Sequence, residues 1–384
     1  MGRNFFLSLQ ILVLRAFLSG AVALDIYKEK SPMLEISDQG CPDDNAITPC
    51  VCMRVDLDLD LDCSEVKSDQ ELQNVFMADF PFTQIRNFTI LKPPSEGRVP
   101  ISILNEGIFG SLRFQHIIIS HTNLTFIQGD PFVNSSNVLE TLAITDNHIV
   151  VFPFSEISKY TNLTDLRLFD NKLERLSNLE SESLQYLQVS NNPTLLYGDE
   201  VFYDVPNLRY LGMAGINITN VAKNTFRFLH QLEILDLSRN NIQTLRNGSL
   251  WFESKDLNII ALDFNDINDM EPDTIGYCQS GGDQEICATD NMAIAPRFLM
   301  TNNQLTDIAE EVWSESFGLV PNGEVNYFAF DNNLIYCGCN IAWVAIDDTN
   351  KQLVSAGSTC ENNGMAISEL PSGIFIDQCL DEER

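Results

Sequence analysis

Residues 232–242 read LEILDLSRNNI. Apolar side chains stand at Leu232, Leu235, Leu237 and Ile242, with Asn240 between the last two. The same spacing, L-x-x-L-x-L-x-x-N-x-L, returns at 139–149 (LETLAITDNHI) and at 163–173 (LTDLRLFDNKL). Weaker copies begin at Ile85, Phe114, Leu184, Leu208, Leu257, Ala295 and Val325. The ten starts lie 21 to 30 residues apart, except for one gap of 38 between Leu257 and Ala295. A fixed period of this length marks a stack of like units, because no single unit can bury its own apolar face.

The pattern predicts an α/β leucine-rich-repeat solenoid, a curved horseshoe of about ten repeats with a concave parallel β-sheet. In each unit a short strand alternates apolar residues inward and other residues outward. The asparagine that follows turns inward, where its amide can serve backbone groups of adjoining turns; Asn147, Asn171, Asn192, Asn240, Asn265, Asn303 and Asn333 hold that place. Six residues before several starts stands a further apolar group, Ile157, Phe202, Phe226 or Trp251, expected to fill the convex side.

The chain around the repeats reads as an exported one. Residues 1–23, MGRNFFLSLQILVLRAFLSGAVA, combine Arg3, an apolar run broken by Arg15 and a small-residue end, as in a secretory signal peptide cleaved after Ala23. Residues 24–40 then form an extension, 41–84 a cysteine-rich cap, 85–335 the repeats, 336–380 a second cysteine-rich cap and 381–384 an acidic tail. The expected protein is secreted and extracellular, without a membrane span. Ten cysteines suit disulfides in that setting. Zinc is disfavoured, since the sequence has no C-x-x-C pair and no paired histidine ligands. Six Asn-x-Ser/Thr sequons, at Asn87, Asn123, Asn134, Asn162, Asn217 and Asn247, fit the same route.

Composition argues against several function classes. A net charge of −31 opposes binding to nucleic acid or to anionic membranes. No nucleophile elbow, zinc-protease motif or phosphate-cradling loop occurs, and the four histidines, His116, His121, His148 and His230, match no metal spacing. No enzyme and no cofactor is expected. The segment VDLDLDLDC (55–63) raises calcium as a question. Read as one strand, it puts Leu57, Leu59 and Leu61 against the first repeat and Asp56, Asp58, Asp60 and Asp62 in water. Alternate residues lie about 7 Å apart, whereas a calcium site gathers six or more oxygens at about 2.3–2.6 Å. A solvated strand is therefore the leading reading, and weak calcium binding at the four aspartates the lesser one.

The outward residues two places after each start are Asn87, His116, Thr141, Asp165, Tyr186, Tyr210, Ile234, Ile259, Arg297 and Tyr327. Four consecutive repeats thus place Tyr186, Tyr210, Ile234 and Ile259 side by side over roughly 15 Å of sheet. Phe169 and Phe264 extend the stripe from outward positions further along their strands. Aromatic-rich apolar patches of this kind occur at the centres of protein interfaces. Tyr210→Asp is expected to leave folding intact and to abolish partner binding. By register, only Asn87 would bring a glycan onto the concave face; Asn123 and Asn217 fall just past the strand, and Asn134 and Asn247 on the return segments.

The end segments carry resemblances. Residues 41–63, CPDDNAITPCVC…LDC, have the cysteine order of an N-terminal leucine-rich-repeat cap, and CGCNIAW from Cys337 that of the matching C-terminal cap. The arrangement usual in such caps implies pairs Cys41–Cys52, Cys50–Cys63, Cys337–Cys360 and Cys339–Cys379, with Trp343 beneath the last repeat. Cys278 and Cys287 remain and are expected to pair within an insertion at about 270–292. The phrases ITPCVC, LDCS, ADFPF (78–82) and NNLIYCGCNIAWV (332–344) resemble the non-catalytic leucine-rich-repeat subunits of the oplophorus-luciferin 2-monooxygenase family and its arthropod relatives. That resemblance implies a secreted accessory chain beside a small oxidase (luciferase) subunit that oxidises coelenterazine. The alternative is an extracellular recognition or adhesion protein, of matrix or innate immunity, unrelated to luciferase.

Overall fold

The computed structural model describes residues 40–177, 179–279, 286–288 and 294–379. The expected signal peptide, the expected extension up to residue 39 and the expected tail lie outside them. One twelve-stranded sheet runs through the molecule in chain order: β1 (Val51–Val55), β2 (Asp58–Asp62), β3 (Gln84–Leu91), β4 (Arg113–Ser120), β5 (Thr141–Thr145), β6 (Asp165–Arg167), β7 (Tyr186–Gln188), β8 (Tyr210–Gly212), β9 (Ile234–Asp236), β10 (Ile259–Ala261), β11 (Arg297–Leu299) and β12 (Phe328–Ala329). Every pairing from β2 onward is parallel. Each turn of the solenoid buries its leucines against those of the next, which gives one continuous apolar core.

Nine of the ten starts are buried, at 8% exposure or less, and Val325 is 38% exposed. The last strand, β12, is only two residues long, and beyond it the cap segment 352–355 continues the stack, with Asn326 N and Tyr327 N donating to Gln352 O and Leu353 O and Ser355 N donating to Phe328 O.

The asparagine row works as a second spine. The Asn240 amide donates to Leu237 O at 2.9 Å in its own turn and to Met213 O at 2.9 Å in the turn before, while its oxygen accepts from Ile216 N and Ile218 N at 3.0 Å. Asn171, Asn192, Asn265, Asn303 and Asn333 repeat this bridging, all buried. The residue just before each of these asparagines has a positive φ, as in Asp170 (55°), Asn191 (55°), Arg239 (56°) and Phe264 (57°). The chain turns there through the left-handed region so that the amide can face inward.

Two sequence readings of packing need correction. On the convex side the aromatic ladder runs Phe202–Phe226–Phe252, with centroids 6.0 and 6.4 Å apart. Trp251 is not part of it. The short strand Leu250–Phe252 sends Leu250 and Phe252 inward and Trp251 outward, where Lys223 Nζ sits 4.2 Å from its ring and Nε1 donates to Asp273 O at 2.9 Å. The segment 55–63 is likewise not one strand. β1 and β2 form an antiparallel hairpin, with Asp56 at φ 57° and Leu57, 87% exposed, at its tip. Leu59 and Leu61 are buried as expected.

The caps are closed by Cys41–Cys52, Cys50–Cys63, Cys337–Cys360 and Cys339–Cys379. Trp343 packs edge-on against Phe317 at 4.9 Å and donates to Ile308 O at 2.8 Å. In the wide gap between repeats, Ile275–Gln279 and Ile286–Ala288 pair antiparallel and extend the convex strand Leu250–Phe252 into a three-stranded sheet. Cys278 stands opposite Cys287 in that pairing and is disulfide-bonded; the Cys287 side chain lies outside the described ones. Among the described residues, no helix is long and apolar enough to cross a membrane.

Candidate protein-binding face

The outward row of the concave sheet has the register that the repeat spacing requires. Asn87 pairs with His116, His116 with Thr141, Thr141 with Asp165, Asp165 with Tyr186, Tyr186 with Tyr210, Tyr210 with Ile234, Ile234 with Ile259 and Ile259 with Arg297. Tyr186, Ile234 and Ile259 are half-buried, their outer surfaces open to solvent. Phe264 is 49% exposed, with the Arg239 guanidinium 4.8 Å from its ring.

Tyr210 and Phe169 do not stand out as open contacts. Tyr210 is 7% exposed and Phe169 is 8% exposed. The Tyr210 ring lies over Gly212 of its own strand, where a Cβ would come within 2.9 Å of Cε1. Its other face stacks on Tyr186, centroids 4.3 Å apart and planes 6° from parallel. Arg167 continues the stack 4.8 Å from the Tyr186 ring, held by Asp165 through bonds of 2.9 and 2.7 Å. Tyr186 Oη donates to Gln188 Oε1 at 3.1 Å. Burial pushes the Tyr186 hydroxyl up to about 12 and that of Tyr210 well above its ordinary value.

Next to this stack lies Asp236, fully buried, and it is a feature sequence reading missed. One carboxylate oxygen accepts from Ser238 N at 3.0 Å and Ser238 Oγ at 2.6 Å. The other has no hydrogen-bond partner among the described residues, and neither has the Tyr210 hydroxyl. Burial pushes the carboxyl up to about 6, against the pull of the Ser238 bonds and of Arg239. The signal was present in the sequence as an aspartate facing Gly212 across the strands.

Three of the four aspartates of the first hairpin, Asp58, Asp60 and Asp62, have side-chain partners. Arg86 clasps Asp60 with bonds of 3.1 and 2.8 Å and reaches Asp58 at 3.5 Å. Asn87 Nδ2 donates to Asp60 at 2.9 Å. Asp62 accepts from Ser64 N and Oγ. His116 bonds Thr141 at 3.1 Å and His121 bonds Asp146 at 2.6 Å. Among the described residues, no three His, Cys, Asp or Glu side chains are grouped to hold a metal ion. Five sequon asparagines, Asn123, Asn134, Asn162, Asn217 and Asn247, are exposed; Asn87, in β3, is half-buried.

Known proteins match this architecture. The leucine-rich-repeat family model matches residues 182–242 and 206–267. The oplophorus-luciferin 2-monooxygenase non-catalytic subunit of Oplophorus gracilirostris is 28% identical over 363 residues, covering 94% of this chain and 93% of that one. Tsukushi of Gallus gallus is 28% identical over 158 residues, 38% of this chain and 40% of its own. In a solved octameric complex of Latrophilin 3, Unc5D and FLRT2, one chain superposes with a TM-score of 0.59 at 19% identity, covering 88% of this chain and 100% of that chain; this likeness concerns the fold. The chain is a leucine-rich-repeat solenoid capped by disulfides at both ends, and over nearly its whole length it is similar to a luciferin monooxygenase subunit that is itself named non-catalytic.

Proposed function

We propose that the protein is a secreted, non-catalytic chain that binds another protein through its concave face, as an accessory subunit to a smaller secreted oxidase. The observation that carries this reading is the row Tyr186–Tyr210–Ile234–Ile259, set side by side on four strands, in which Tyr186, Ile234 and Ile259 turn apolar surface to solvent and Tyr210 is buried between them. Exposed apolar contiguity of this kind has a use, since it is otherwise a solubility liability. The similarity to a subunit named non-catalytic supports the accessory role. Calcium has no part in the reading, because Asp60 is already neutralised by Arg86.

The test is co-purification from native tissue through a tag on this chain. A smaller secreted oxidase that stays with it, and keeps its activity when isolated alone, supports the accessory role. A receptor, matrix component or microbial ligand in its place makes the protein a recognition or adhesion molecule instead.

A further inference from the structure

Gly212, Asp236 and Ala261 are neighbours on three successive strands. All three are buried on the concave side of the sheet. Two residues earlier on the same strands stands the row Tyr210, Ile234 and Ile259, and after the strands come Arg239 and Phe264, the guanidinium 4.8 Å from the ring. One Asp236 oxygen is unpartnered among the described residues, and the nearby Tyr210 hydroxyl has no partner either. Buried polar atoms almost always find partners, so two orphans in one place need an explanation.

We propose that Asp236 is the receptor for an arginine side chain of the protein partner and that Tyr210 is the cover that moves aside to admit it. This rests on the concave face being the interface. The incoming guanidinium donates one N–H to the free Asp236 oxygen and another to the Tyr210 hydroxyl, which satisfies both orphans. Asp236 is fully covered in the free chain, so a neighbouring side chain has to give way. Tyr210 is suited to do so. It rests on Gly212, which has no Cβ to lock it, and is held from the other side by its stack on Tyr186.

Guanidinium fits better than ammonium on two grounds. Its planar fork can bond a carboxylate and lie on an aromatic face at once, and the molecule already uses that arrangement, with Arg167 on Tyr186. A cation also holds Asp236 ionised, which burial alone opposes. A chain of net charge −31 draws basic partners to it at long range.

The experiment is thermal melting of the full secreted chain at pH 7.5 with N-acetyl-arginine amide, and with the uncharged N-acetyl-citrulline amide as control. Asp236→Asn keeps the acceptor for Ser238 and so keeps the fold. Tyr210→Phe keeps the stack and removes only the hydroxyl. A ligand that binds the native state raises the midpoint. The arginine compound should raise the wild-type midpoint by about 1 °C or more at tens of millimolar, raise that of Tyr210→Phe less, and leave Asp236→Asn unchanged. The citrulline compound should act on none. Equal shifts in wild type and Asp236→Asn, or no shift in wild type, overturn the proposal. If partner capture is lost on arginine substitution of Ile234 and Ile259 while the melting test fails, the face stands and the arginine receptor falls. If capture survives those substitutions, the face itself is wrong.

Discussion

Arg86 and Asp60 face each other across β2 and β3 with two hydrogen bonds of 3.1 and 2.8 Å. A ladder of aspartates that looks self-repelling in the sequence is thereby tied to the first repeat by a cation 26 residues away. Truncating Arg86 to alanine leaves Asp60 with only the Asn87 amide. We expect a loss of about 1–3 kcal/mol, the cost of breaking a partly buried charged hydrogen bond, read as a lower denaturation midpoint. Metal chelation is expected to leave wild-type melting unchanged; a drop on adding EDTA would restore calcium to this hairpin.

The buried asparagines should be far less tolerant than their polarity suggests. Asn240→Ala removes donors to Leu237 O and Met213 O and the acceptor for Ile216 N and Ile218 N. Leaving such backbone groups unpaired costs about 1–3 kcal/mol each way the turn cannot relax. Chemical denaturation should show that loss, whereas the exposed neighbour Asn241→Ala should change stability by less than about 0.5 kcal/mol.

Asp236 makes stability depend on pH in an unusual direction. Its carboxyl titrates near 6 in the folded chain and near 3.9 when unfolded. The folded state therefore binds the extra proton between those values. The stabilisation by the neutral carboxyl is full below about 4 and is lost as pH rises through about 6. Tyr210, Tyr186, Arg239 and Asp263 are the titratable groups around it. A shift of this size corresponds to about 3 kcal/mol at neutral pH. Asp236→Asn should thus melt higher than wild type at pH 7.5 and lose that advantage by pH 4. Equal curves at both pH values would show that the carboxylate is solvated.

Tyr210→Asp is now expected to impair folding and secretion, since it would place a charge where 7% of the side chain is exposed. Ile234→Arg and Ile259→Arg, at half-buried positions with an outlet to water, should be secreted at wild-type levels. Comparing secreted yields of the three variants checks the assignment.

The repeat and the register of the outward row were legible because each follows from spacing, whereas the cap pairings came from the resemblance to known leucine-rich-repeat caps. Leucine at fixed offsets fixes which strand neighbours which, and hence that Tyr186 meets Tyr210 and Ile234 meets Ile259. What spacing could not supply was how far a side chain leans. Tyr210 falls over Gly212 because that residue lacks a side chain, which hides a residue counted as exposed. Leu57 escaped because the alternating run conceals a hairpin turn at Asp56. Trp251 escaped because Phe252, one residue on, continues the stack begun by Phe202 and Phe226.

The most direct measurement is the affinity of the purified partner for this chain, wild type against the Ile234→Arg/Ile259→Arg double variant, at fixed salt. A loss of at least a hundredfold, about 3 kcal/mol, is expected, with unchanged melting temperature. Wild-type affinity in the double variant would contradict the assignment of the concave face.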